Sequence, residues 1–257
     1  MREIRGFFYG LWCIGLFTPT AVAVLVVNLF VPGLRNRRAV ARAAGRTFLR
    51  AAGIDFRAIG LDRLPPRPCV VVANHASYLD AVVMVAALPP EFTFVIKKEM
   101  VRVPLASLML RRLGSEFVER FDRHKGGVDA RRVLKRAATG ESLVFFPEGT
   151  FTETRAIGKF HAGAFATAAR NQMPVVALAL HGTRDALPSG TLFMRRVAMR
   201  VEVLAIFEHC GTAEVHVSDI REQARQLIAS AVGEPLIPVA GPSHKPDGIP
   251  DGAPDGG

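Results

Sequence analysis

The sequence predicts an α/β fold: a single mixed, largely parallel sheet with helices on both faces, preceded by an N-terminal membrane-anchoring hydrophobic helix or helix pair. Two observations lead there. Beyond Leu61, short β-branched runs alternate with stretches of helical period. Those runs are apolar at consecutive positions, as strands are when both faces of their sheet are covered. Ahead of them lies a long apolar segment of a different character.

Residues 6–34 carry no charge and are mostly Leu, Val, Ile, Phe or Ala, and about 20 apolar residues suffice to cross a bilayer. Signal-peptide cores are shorter and end in a small-residue cleavage site. Here Arg35, Arg37 and Arg38 follow at once, so residues 1–34 read as a retained anchor. Pro19 and Pro32-Gly33 allow either one kinked span or a re-entrant helix pair. The basic flank favours the cytoplasmic side, which places the rest of the chain in the cytoplasm. Residues 35–58 read as a basic amphipathic interfacial helix, with Arg38, Arg42, Arg46 and Arg50 recurring at every fourth position. The alternative is a surface helix with solvated arginines.

Residues 59–232 read as the α/β domain. Strands are expected at 69–73, 92–96, 142–146, 174–178 and 197–206, and helices at 81–88, 105–113, 128–139, 162–170 and 218–232. The Pro-, Gly- and Asp-rich stretch 233–257 is expected to be a disordered tail. The formal net charge is +10, which suits an acidic partner: nucleic acid, anionic lipid or an acidic carrier protein. Cys13, Cys69 and Cys210 are widely spaced and form no C-x-x-C pair, which argues against a disulfide framework or a zinc site.

Ligands of open α/β sheets gather at the carboxyl ends of strands, and three such ends carry polar residues that packing does not require. After the first strand comes Asn74-His75-Ala76-Ser77-Tyr78-Leu79-Asp80. A His at a strand end with an Asp at the start of the next helix forms an imidazole–carboxylate pair, one ring nitrogen held and the other facing the cleft as a base. The competing reading makes Ser77 and Asp80 a capping box. The second end is Phe146-Pro147-Glu148-Gly149-Thr150, which is also the composition of an ordinary polar turn. The third is Gly114-Ser115-Glu116-Phe117-Val118-Glu119-Arg120, where Arg120 is either an anion clamp or a solvated surface charge.

In this order and spacing the three resemble the glycerolipid acyltransferase family typified by 1-acylglycerol-3-phosphate acyltransferase, with its N-H-x-S-x-x-D, G-x-x-F-[IV]-x-R and [FL]-P-E-G-T motifs. Lys159-Phe160 with Gly163-Ala164-Phe165, and Pro174-Val175-Val176, match later hallmarks. The resemblance spans residues 60–210 and implies the glycerol-3-phosphate acyltransferase-like fold. It assigns His75 and Asp80 to catalysis. Asn74, Ser77, Arg120, Glu148, Gly149 and Thr150 go to substrate binding, as do Arg155 and Lys159 if they replace a missing arginine. Members that use phosphate acceptors commonly carry Arg-Ser after E-G-T, where Phe151-Thr152 stand here. That departure puts the acceptor in question but not the chemistry.

The implied reaction moves a fatty acyl group from acyl-ACP or acyl-CoA to the free hydroxyl of lysophosphatidate in phospholipid biosynthesis, with no metal or bound cofactor. Membrane phospholipids, the lysophospholipid and the carrier thioester are the expected partners, and nucleic acid is not. The alternatives are another lysolipid acceptor, such as lyso-ornithine lipid, or a lipid or thioester hydrolase in which His75 activates water. A non-enzymatic basic binder leaves the strand-end motifs unexplained.

Overall fold

The computed structural model describes residues 2–119, 123–150, 153–208, 210 and 216–238. Two helices come first, α1 (Arg2–Phe30) and α2 (Leu34–Ala51). Then follow β1 (Phe56–Ile59), β2 (Val70–Ala73), α3 (Leu79–Ala87), β3 (Phe92–Lys97), α4 (Pro104–Arg112), β4 (Glu116–Val118) and α5 (Arg123–Ala138). The chain continues through β5 (Ser142–Phe145), α6 (Gly163–Arg170), β6 (Val175–His181), α7 (Thr183–Ala186), β7 (Met199–Phe207) and α8 (Val217–Val232). The described strands form one sheet in the order β1-β7-β6-β2-β5-β3-β4. From β6 through β4 all neighbours are parallel, while β7 runs antiparallel to β6 and parallel to β1. This is the mixed, largely parallel sheet the sequence predicts.

Strand β2 shows why the apolar runs read as they do. Its side chains alternate across the sheet. Val71 and Ala73 enter a core layer shared with α1, α2 and α3, and Val70 and Val72 enter the opposite layer beneath α5, α6 and α8. All four are fully buried. The two strands the sequence reading missed, β1 and β4, are the outermost in the sheet; both are short, and charged residues interrupt their apolar pattern. Because β1 pairs with β7, the α/β domain begins before residue 59.

The anchor stretch is one helix with Pro19 inside it, so the two-helix arrangement within residues 1–34 is not the one formed. The segment Ile4–Phe30 is long and apolar enough to cross a membrane. It also packs on the domain: Tyr9 Oη donates to Ala52 O at 2.9 Å, Cys13 lies in the core, and Arg112 donates to Asn28 O.

Three of the four stripe arginines on α2 point inward, contrary to the interfacial expectation, while Arg50 is exposed. Arg38 is buried and donates to Leu113 O at 2.9 Å and Thr93 Oγ1 at 2.6 Å, with longer bonds to Pro90 O and Glu91 O. Arg42 and Arg46 donate to Ala87 O and Ala86 O. Those carbonyls close α3, whose C-terminal end carries negative partial charge. A period of four places residues on one helix face but does not say which way the face turns.

The tail expectation also needs correction at its start. Residues 234–238 pack against the domain, with Leu236 bridged in parallel to Ile157; residues 239–257 lie outside the described residues. Replacing Arg38 with Met should strand the Leu113 carbonyl, leave the Thr93 hydroxyl only its bond to Glu141, and lower stability by about 3 kcal/mol. Arg35→Met, an exposed neighbour, should change it by less than about 0.5 kcal/mol. Denaturant titration of both proteins in the same detergent checks the contrast.

Candidate active site

Because β2 runs parallel to both β5 and β6, their carboxyl ends open on one edge of the sheet. The loop after β2 carries His75, the loop after β5 carries Glu148, and β6 supplies Leu180 beside them. Asn74 is buried and completes the edge like an extra rung: its Nδ2 donates to Leu180 O at 3.0 Å and its Oδ1 accepts from Leu180 N at 2.8 Å. Ser77, also buried, donates to Leu187 O at 2.8 Å and accepts from Leu79 N. The polar groups of these two tie the catalytic loop to the strand ends.

Asp80 sits in the first turn of α3 and is fully buried. One of its oxygens, Oδ2, faces His75 Nδ1 at 2.8 Å, Ala76 N at 2.6 Å and Ser77 N at 2.8 Å. Since Asp80 meets the two amides as an acceptor, it meets the ring as one too. Nδ1 then carries the proton, and Nε2 is the ring nitrogen with base character. The carboxylate that accepts the Ala76 and Ser77 amides ahead of α3 also orients the imidazole. Its second oxygen, Oδ1, is buried with no donor among the described residues. That leaves the negative charge poorly solvated and raises its value to an imidazolium forming beside it.

His75 is partly exposed, and its ring stacks on Phe146 at 4.4 Å between centroids and 21° between planes. Glu148 braces the same residue from the other side. Its Oε1 accepts His75 N–H at 2.8 Å and its Oε2 accepts Gly158 N–H at 2.8 Å. Burial pushes the Glu148 carboxyl above the ordinary range, while those two amides and the nearby charges of His75 and Arg184 pull against it. Glu148 therefore fixes the backbone of His75, with one oxygen on its amide and the other on that of Gly158. Gly149, at φ +82°, makes the turn that aims it, and Thr150 is exposed beyond.

The expected phosphate ligands divide. Arg155 pairs with Asp185 at the surface and Lys159 is exposed, while Arg120, Phe151 and Thr152 lie outside the described residues. Sequence reasoning missed Phe146 as the wall behind the imidazole and Gly158 as the second amide on Glu148. Nothing in the spacing marks Gly158, which reaches the site through a loop ten positions downstream.

The fold sets a histidine, oriented by a buried aspartate, at the carboxyl edge of an α/β sheet. A family profile described as Acyltransferase matches residues 55–181, which contain the dyad, its brace and six of the seven described strands. A chloroplastic 1-acyl-sn-glycerol-3-phosphate acyltransferase of Brassica napus is 33% identical over 134 residues, 51% of this chain and 39% of that protein. A lyso-ornithine lipid O-acyltransferase of Pseudomonas aeruginosa is 32% identical over 141 residues, 53% of this chain and 52% of that one. The chain thus spans about half or less of the length of these two relatives. The crystal structure of the 1-acyl-sn-glycerophosphate acyltransferase of Thermotoga maritima shares the fold with a TM-score of 0.75, covering 91% of this chain and 97% of that one at 19% identity. The chain belongs to the glycerolipid acyltransferase family typified by 1-acylglycerol-3-phosphate acyltransferase.

Asp80→Asn keeps an oxygen acceptor near the two amides but removes the charge that favours the imidazolium. Acyl transfer should fall by about 10²–10⁴-fold, with far-UV circular dichroism unchanged. Activity within threefold of the parent would remove Asp80 from the chemistry.

Proposed function

We propose that the protein transfers a fatty acyl group from acyl-ACP or acyl-CoA to the free hydroxyl of lysophosphatidate, yielding phosphatidate and the free carrier thiol. The observation that carries the reading is the His75–Asp80 pair braced by Glu148 at the carboxyl edge of the sheet. His75 Nε2 takes the acceptor's hydroxyl proton, the alkoxide attacks the thioester carbonyl, the C–S bond breaks, and the imidazolium returns its proton to the thiolate. A small apolar cleft, with room for only a few methylenes, opens beside the site. It runs between α2, α3, β3 and α4, lined by Val85, Leu88, Phe92, Phe94 and Leu110, and it includes Ala81, the chain neighbour of Asp80.

A second acceptor has its own support. Phe151 replaces the arginine that phosphate-using members commonly carry, and one relative's name is lyso-ornithine lipid O-acyltransferase. The same dyad acting on a lyso-ornithine lipid needs no change of mechanism.

The apolar α1 supports membrane docking, which we assign to the cytoplasmic face of a bacterial inner membrane. Phe8, Trp12, Val22, Val26 and Phe30 are exposed along its outer side, an apolar strip larger than soluble surfaces usually leave to water. Leu192 and Phe193 extend it, with Phe193 against Phe7 at 5.3 Å. Contacts of α1 with the domain at Tyr9, Cys13 and Asn28 support a helix lying along one leaflet.

The purified protein in nanodiscs, given labelled acyl-CoA or acyl-ACP and a panel of lysolipids, tests the chemistry. Acylated lysophosphatidate, lost by more than about 10³-fold in His75→Ala, is the expected result. Acylation of lyso-ornithine lipid alone moves the acceptor, and free fatty acid without acylated lipid would replace the reading with a hydrolase. For docking, Phe8→Asp with Trp12→Asp should lower co-flotation with phosphatidylglycerol vesicles at least about tenfold, since each buried aromatic contributes about 2–3 kcal/mol. Unchanged flotation would remove α1 from the membrane.

A further inference from the structure

Helix α8 carries a buried charge that the mechanism above does not use. Arg225 is 3% exposed and lies among Ile220, Ala224, Ile228 and Phe165. Its acidic neighbour, Glu222, is partly exposed and 3.3 Å away. A guanidinium taken out of water is costly unless hydrogen bonds offset the loss. Packing alone therefore gives no reason for an arginine.

Its hydrogen bonds do. Arg225 Nε donates to Gly158 O at 2.7 Å, and Nη2 donates to Ile157 O at 3.2 Å and Ile237 O at 2.5 Å. Ile157 O also accepts from Ile237 N at 3.0 Å, and Ile157 N donates to Pro235 O at 2.9 Å. The peptide unit between Ile157 and Gly158 is thus held at both ends. Its carbonyl points to Arg225, and its N–H points the other way, to Glu148 Oε2. A cation on the carbonyl and an anion on the N–H polarise the same peptide in the same sense, so the two bonds reinforce each other. Glu148 Oε1 then fixes the His75 amide. Residues 234–237 complete the socket, and Glu234 is itself anchored by Arg184 at 2.8 Å.

We propose that Arg225 is a positioning residue for His75, acting through the Ile157–Gly158 peptide and Glu148, with residues 234–237 as part of the scaffold. The proposal rests on the reading of His75 as the base. The relay sits on the α5–α6–α8 side of the sheet and the apolar cleft on the α1–α2–α3 side, so its loss acts on turnover and leaves the acyl donor's KM alone.

Two variants of the full-length protein test it. Arg225→Lys keeps the charge and stem but lacks the planar fork that reaches both segments. Gly158→Ala leaves Arg225 intact and places a Cβ 3.3 Å from Glu148 Oε2, so it pushes on the brace directly. Each is assayed below its melting temperature with palmitoyl-CoA and whichever lysolipid the parent acylates. Separately, the rate of His75 modification by diethyl pyrocarbonate is read by peptide mass spectrometry, which needs no turnover. The expected result is a fall in kcat of roughly 10–100-fold in both variants. Donor KM should stay within twofold, and His75 modification should change by threefold or more; Glu222→Gln should match the parent in all three. Parental kcat and parental His75 reactivity in either folded variant would overturn the proposal, as would a loss of activity that only tracks the folded fraction. If His75→Ala still turns over while both variants alter His75 reactivity, the base assignment fails and the positioning stands.

Discussion

A carboxylate removed from water has to find donors, and Asp80 finds three of them on a single oxygen. Two are backbone amides of the loop leaving β2 and the third is the ring of His75. The contact closes the loop ahead of α3 and selects the tautomer of the base in one arrangement. Loop, helix and base are therefore not independent features. A change that released the carboxylate would loosen all three, because the charge would seek other donors or a proton.

The sheet supplies the second condition. Parallel pairing of β2 with β5 and β6 puts three loops at one edge, and Asn74 extends the pairing past the last backbone rung by copying a peptide group toward Leu180. Glu148 then reaches across from the β5 loop to the His75 amide. The base is fixed by its ring and by its backbone from two different strands, which leaves little freedom except at Nε2. Preorganisation of this kind lowers the cost of aligning an acceptor hydroxyl with the base.

The apolar surfaces have opposite fates on the two sides of the sheet. On the side of α5, α6 and α8 they are closed off, and the segment after α8 seals the loop behind Glu148. On the side of α1, α2 and α3 they remain open, as the cleft beside α4 and as the outer strip of α1. One side holds the base rigid while the other is available to lipid. The inward-facing arginines of α2 belong to this division. They fasten α2 to the end of α3 and to the loop before β3, so the helix carrying them is part of the domain and not an appendage to it.

Much of this was legible in the residues themselves. The β-branched runs marked the central strands because burial on both faces demands apolar side chains at consecutive positions, and the His75-to-Asp80 spacing marked the dyad because a strand end and a helix start fix that distance locally. The edge strands β1 and β4 were not predicted, since partial exposure lets Arg57 interrupt β1 and the three-residue β4 opens on Glu116, a buried charge matched by Arg136. Nor were the roles of Asn74, Ser77 and Glu148, whose partners at Leu180, Leu187 and Gly158 are supplied by other strands and loops. A sequence records which side chains can accept or donate, but the partner of a buried polar group is settled by what packing brings to it. For the same reason the arginines of α2 and the residues after Gly233 were misread. Their local composition is that of solvated chain, and only the docking of α2 on α3, and of residues 234–238 on the loop at Ile157, gave their charges and amides a place inside the protein.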